Sequence, residues 1–258
     1  MVTSNNVSGL IYQGKNSADL GIMVQYPADP VFATPDLNPT HIPGRSGDFI
    51  EDDNSYQNVT KTFNIIINRP LDVTQFDWER EFIDWLASPI VQGQRQYEYL
   101  QFDIDQQYAY KAIVTTPPTI NWDQQTPNLG TGQITFYCEP FEYRVDGINY
   151  IDLPKNGDVY NGESRIAIPN WHFMTNGAFV ITVNDLSFQF DNLNGEFWLN
   201  GDTGDTTDAS GTLFNNQTHF PNLLPPELPP GHNAVSATAE EGVITRIEYM
   251  PVVEVARW

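Results

Sequence analysis

IPGRSGDFIEDDNSYQNVTKTFNIIIN, residues 42–68, holds a tight turn, an acidic loop and a committed strand in a single run. Pro43 fixes φ and Gly44 tolerates a positive φ, so the pair predicts a type II turn, with Ser46-Gly47 as a weaker echo. From Val59 to Ile67 most residues are β-branched or aromatic. Alternation puts Val59, Lys61, Phe63, Ile65 and Ile67 on one face and Thr60, Thr62, Asn64 and Ile66 on the other. That is a half-buried strand, and with it the chain reads as mainly β. Nothing in the stretch pairs a nucleophile with a base or gathers metal ligands, so its role is that of scaffold.

Just downstream, residues 72–87 (DVTQFDWEREFIDWLA) form the one convincing helix. It follows Pro70, takes Asp72 as N-cap with Gln75 three residues on, and stops at Ser88-Pro89. Phe76, Phe82, Ile83 and Leu86 share a face, with Glu79, Arg80 and Asp84 opposite, so the helix lies on a sheet. Trp78 and Trp85 sit at the edge of that stripe, where they serve either core packing or a subunit contact.

Upstream, residues 7–26 give two apolar runs around Gly14-Lys15-Asn16, a hairpin with residues 17–21 as a polar corner. Pro27, Pro30, Pro35 and Pro39 then punctuate an irregular, extended connection. After the helix, strands fall at 97–103 and 108–115, with a turn at 104–107. Another falls at 133–138, left by Glu139-Pro140-Phe141. From Val145 on there is no helix pattern. Strands at 165–168, 178–183, 186–190, 196–200 and 243–250, with Asn184-Asp185 as a hairpin turn, read as a β-sandwich. The proline run at 221–230, PNLLPPELPP, is extended chain that either wraps the sandwich or offers itself to a partner.

With 258 residues the chain suits one large β domain or two ordinary ones. Its 12 basic and 33 acidic residues leave a net charge of −21, which opposes nucleic acid and anionic membranes as partners. Between Arg165 and Arg246 there are nine Asp or Glu and no Lys or Arg. Cys138 is the sole cysteine, which excludes an intrachain disulfide; its setting, ITFYCEPF, suits a small buried hydrophobe. The opening MVTSNNVSGLIY lacks the basic and apolar regions of a secretory signal, and no window approaches the ~18 apolar residues of a membrane helix.

Asp202, Asp205 and Asp208 offer carboxylates from one loop, but spaced three and three rather than as an EF-hand, so a solvated turn is favoured over Ca²⁺. Asp52, Asp53 and Asn54 have the same standing. His41, His172, His219 and His232 are scattered without zinc spacing. Asp103 and Asp105 alternate at a strand end, a half of a glycosidase pair with no identifiable partner. Trp171, Phe173, Trp198 and Phe214 could stack on sugars, but core packing is favoured for them. No catalytic, cofactor-binding or metal residue is assigned, and the chain is not expected to be an enzyme.

Five ordered motifs carry a resemblance: SADLGIMV, IPGRSGDFIEDDNSYQNVTKTFNIII, FDWEREFIDWLAS, FDIDQQYAYKAIV and GQITFYCEPFEYR, spanning about residues 10–144. Together they resemble the distal tail (Dit) family of long-tailed siphophages. The resemblance implies an N-terminal β-sheet or split-barrel domain, residues 1–144, that forms a hexameric ring, and a C-terminal galectin-like β-sandwich, residues 145–258. It implies a virion protein of the tail tip, made in the host cytoplasm. Its ring joins the tail tube protein to the tail-tip hub (Tal-like) protein and mounts receptor-binding or baseplate proteins. Galectin-type lectins carry H-x-N-P-R and W-G-x-E-x-R strands. Here His232-Asn233 runs into Ala234-Val235 and Trp198 into Leu199-Asn200, so the sandwich implies a fold rather than sugar binding. Binding of host saccharide is the alternative function.

Overall fold

Alternation in the organising strand becomes burial: along Val59–Asn68 each odd-numbered side chain is inside and each even one outside. The computed structural model describes residues 7–26, 28–91 and 93–255, and these divide into two compact units that meet between Glu142 and Tyr143. In the first, Val59–Asn68 pairs antiparallel with Leu129–Arg144 in unbroken register from Leu129↔Asn68 to Cys138↔Val59. Its other edge pairs with Ile22–Gln25. Lys61, the single charged residue on the inner face, is satisfied in part by lying 4.2 Å from the centre of the Tyr110 ring.

The path runs on through Asp105–Val114 and Glu98–Phe102 to Leu10–Tyr12, while Val7–Ser8 pairs with Ile22–Gln25 at the far end. Those two short strands are one stretch of chain interrupted at Gly9, so the sheet closes into a barrel there. A Cβ on Gly9 would meet Asn16 Oδ1 at 2.4 Å and Asp103 Oδ2 at 2.6 Å, which is why the crossover needs glycine. Leu129–Arg144 continues through Pro140, beyond the end of its ladder with Val59–Asn68, where a missing N–H breaks no bond on that side. The polar corner expected at 17–21 is a 3-10 turn, Ser17–Leu20, closed by Gly21 in the left-handed region. The 97–115 hairpin turns at Asp103 and Ile104 rather than over four residues.

The acidic loop and part of the irregular connection are corrected to strand. Pro35–Thr40 pairs with Phe49–Tyr56 as a separate two-stranded ribbon. Pro43-Gly44 is its tip, a type II turn closed by Arg45 N–H donating to Ile42 O at 3.1 Å, with Gly44 at φ 82°. Pro27 and the side chains of Asp52, Asp53 and Asn54 lie outside the described residues.

The helix spans Gln75–Leu86, and its cap is Thr74 rather than Asp72: Thr74 Oγ1 accepts from Asp77 N–H at 3.2 Å and donates to Asp77 Oδ2 at 2.7 Å. Asp72 lies instead in the turn closed by Val73 N–H to Pro70 O.

The second unit is one seven-stranded sheet that curls over its own core: five strands run in the order Ile151–Asp152, Gly231–Met250, Asn170–Val183, Leu186–Leu199, Thr206–Asp208, while Asp158–Asn161 pairs with Gly231–Met250 and Thr218–His219 with Leu186–Leu199. Segments read from sequence as separate strands at 186–190 and 196–200 are one strand, and 178–183 and 243–250 are parts of longer ones. The expected strand at 165–168 is a single bridge, Ala167↔Leu228. The curl occurs where Gly177 faces Gly242, at φ 113° and 97°, beside a register shift. A Cβ on Gly242 would stand 1.7 Å from Asn176 O, so no other residue fits.

Candidate interaction surfaces

A helix laid on a barrel must bury one stripe, and here it keeps Phe82 and Leu86 of the expected stripe but takes Trp78 and Trp85 in place of Phe76 and Ile83. Trp78, Phe82, Trp85 and Leu86, spaced four, three and one, are buried, while Phe76 is 73% and Ile83 50% exposed. Both indole groups explain the rotation. Trp78 Nε1 donates to Leu20 O, in the 3-10 turn, at 2.7 Å and Trp85 Nε1 to Tyr12 O, in a barrel strand, at 3.0 Å, so each ring reaches a carbonyl that neither Phe76 nor Ile83 could use. The tryptophans are therefore core. Phe76 and Ile83, expected in the core, form an outward apolar patch instead, and Leu71 (85% exposed) is displayed as well.

Apolar side chains also stand out on the ribbon: Leu37, Ile42, Phe49 and Ile50 are each exposed. Tyr56 packs edge-on against Phe141 at 5.0 Å near its base, and His41 faces Asp48 at 3.1 Å near its tip. A lone two-stranded ribbon has marginal stability in water, so a projecting one with apolar flanks is suited to being covered.

In the second unit, Trp171 and Phe173 are fully buried and Phe214 packs edge-on against Phe197 at 5.0 Å, as expected for core rings. Trp198 is not core. It points outward from the sheet and stacks on His172, ring centres 4.7 Å apart and planes 15° from parallel. His172 is held between two carboxylates, Glu248 at 2.7 Å from Nδ1 and Glu196 at 2.9 Å from Nε2, and Arg246 reaches Glu248 at 2.6 Å. Strand register makes this a continuous row, Asp152, Glu248, His172, Trp198, Thr207, each beside the next. Glu196, Arg246 and Glu248 escape a reading of the sequence because no local spacing links strands 24 and 76 residues apart. His219 pairs with Asp191 and His232 with Asp158, both exposed.

The aspartate loop turns on itself. Asp208 Oδ1 accepts from Ser210 N–H, Ser210 Oγ and Thr212 N–H, and Asp205 Oδ1 accepts from Asn215 Nδ2 at 2.6 Å. The Ser210 hydroxyl above all holds the Asp208 carboxyl below its usual range. No group of three or more His, Cys, Asp or Glu among the described residues is placed to hold a metal ion. Asp103 is a turn residue bonded to the Ser8 hydroxyl, with Asp105 across the hairpin, so the two do not alternate along one strand. Cys138 is fully buried, and that burial pushes its thiol up to about 12.

The proline run does two things at once. Leu228 is buried and bridges to Ala167, which wraps the sandwich, while Leu223 is 91% exposed.

A closed barrel bearing one helix, followed in the chain by a curled sandwich, is a two-unit, mainly β architecture. No protein-family model and no curated protein sequence matches the chain. Its fold is that of a phage distal tail protein: it is similar to the crystal structure of the Dit protein (gp 19.1) of phage SPP1, with a TM-score of 0.62 and 15% identity over 94% of this chain and 97% of that one. The SPP1 protein is described as a paradigm of the hub adsorption apparatus in phages that infect Gram-positive bacteria.

Proposed function

We propose that the chain is a structural protein of a siphophage tail tip. The observation that carries this reading is the reach of the fold likeness, which takes in both units and nearly the whole of each chain. In this reading the first unit, to about residue 144, assembles into a hexameric ring between the tail tube protein and the tail-tip hub protein. The second unit, from about residue 145, mounts receptor-binding or baseplate proteins. Exposed Phe76 and Ile83 on the helix, and the apolar ribbon, are the surfaces a ring would cover, since soluble chains rarely leave such side chains in water together. The role is structural rather than catalytic and needs no cofactor. Negative-stain images and light scattering test it: rings with six times the 29.2 kDa mass of one chain are expected. A strict monomer at every concentration, together with absence from tail tips of the particle, would overturn it.

A second reading, binding of host saccharide, is favoured by one observation: Trp198 stands outward beside carboxylates and an arginine, the residue types that stack on and hydrogen-bond a sugar. Titration calorimetry against host-wall oligosaccharides, with Trp198→Ala as control, separates the two. Micromolar binding that vanishes in the variant would establish a lectin role, and heat traces at the dilution baseline would remove it.

A further inference from the structure

We propose that the loop at Leu223 is the docking point for a different protein, one whose matching surface is apolar and rimmed by Lys or Arg. This rests on the reading of the second unit as a mount, and names where and what it mounts.

Asn222 and Leu223 both take left-handed backbone conformations, φ 58° and 61°. Glycine would hold that bend without strain, yet the chain places there a leucine that is 91% exposed, followed by Leu224 at 54%. Leu223 buries almost none of its side chain on folding, so the strain at this position is spent on display. Beside the loop, Val183, Leu186, Phe188, Leu224, Pro225 and Pro229 line an open groove of about 220 Å³. Leu186, on the adjoining hairpin, is itself 49% exposed. An exposed apolar knob next to an apolar groove is the anatomy of an interface centre.

Charge selects the occupant. Glu227 lines the groove and Asp185 belongs to the adjoining hairpin. No Lys or Arg occurs from residue 166 to residue 245, where nine acidic residues do. A second copy of a chain with net charge −21 would meet acid with acid, whereas a Lys/Arg-rimmed partner would be steered onto the site and held by its apolar centre.

The test uses virions assembled with the full chain carrying Leu223→benzoylphenylalanine. On irradiation the expected product is a cross-link to a Lys/Arg-rich segment of another virion protein. That protein's content per particle should fall at least tenfold in Leu223→Gly, a variant that removes the knob while relieving the backbone. Glu227→Lys should release it at lower salt than wild type does. Cross-linking to a second copy, cross-linking to an acidic segment, no cross-link in particles that contain the chain, or unchanged partner content in Leu223→Gly would each overturn the inference. If the chain is missing from particles altogether, the proposed function falls first and this inference with it.

Discussion

Trp78 and Trp85 in the first unit each donate an indole N–H to a backbone carbonyl, whereas Trp171 in the second is equally buried and its Nε1 has no acceptor among the described residues. The same residue type is thus a clamp in one core and a filler in the other. In the barrel a helix must be fixed at one rotation, and two directional bonds choose it. In the sandwich, rotation is already set by the register of long strands, and Trp171 has only to occupy volume between Phe173 and Tyr249. Directional bonds are placed where backbone geometry leaves a degree of freedom.

The sharpest way to break that contrast is deletion of the clamp. Trp78→Ala should lower the stability of the first unit by about 3–5 kcal/mol, because it removes a large buried ring and strands the Leu20 carbonyl. Amide exchange should quicken across the barrel strands and stay slow in Asn170–Val183; uniform acceleration would show the two units melt as one. A gentler pair isolates the bond from the volume. Trp78→Phe should cost about 1–2 kcal/mol more than Trp171→Phe, since the first leaves an acceptor unpaired and the second removes an unpaired donor. Equal melting shifts would sink the distinction.

Cys138 reports on the clamp without disturbing it. With its thiol pushed up to about 12, it should resist thiol reagents in the folded state, and labelling should follow opening of the first unit. Trp78→Phe should therefore speed labelling several-fold while Trp171→Phe leaves it unchanged. The raised value also sets a sign: the neutral thiol favours the fold in full below the ordinary value of 9.0, and that contribution is lost as pH rises toward about 12. The smallest effect belongs to the second unit. Asp208 is held below its ordinary 3.8, chiefly by Ser210, so its contribution is present above that value and lost on further acidification. Asp208→Asn should lower the melting temperature slightly at neutral pH, and the gap should close in strong acid; a gap that persists there would assign it to packing.

Much of the fold was legible because burial in a sheet imposes a period of two: VTKTFNIII declared both its faces, and Asn184-Asp185 declared its hairpin, with Asn184 at φ 52°. The helix was legible as a helix but not in its rotation. QFDWEREFIDWL carries six apolar side chains in two overlapping stripes, and the one buried is the one whose indoles pack on Phe82 and Trp122 and reach the carbonyls of Leu20 and Tyr12, partners that lie far off in the sequence. The ribbon was hidden for the opposite reason, since strands exposed on all sides have no period to show. Strands 170–183 and 186–199 were read in pieces because glycine and a register shift interrupt the alternation at the curl. Of the candidate surfaces, the Trp198 row was illegible: it exists only once register brings Glu248, His172 and Trp198 side by side.

Strand order has a consequence in time. Gly231–Met250 is the last long strand to be synthesised, yet it lies inside the sheet, paired along fourteen positions with Asn170–Val183 and on its far side with Ile151–Asp152. When Leu199 leaves the ribosome, the central edge of Asn170–Val183 is still open, and it stays open for roughly 3–10 s at ordinary elongation rates until Met250 follows. During that interval the nascent unit presents an unpaired, apolar strand to any neighbour, and on a polysome the nearest neighbour is another copy of itself. Ribosome-stalled chains ending near residue 230 should thus be protease-sensitive and chaperone-bound, and chains released just past residue 255 resistant; equal resistance would mean that the earlier strands close the sheet unaided.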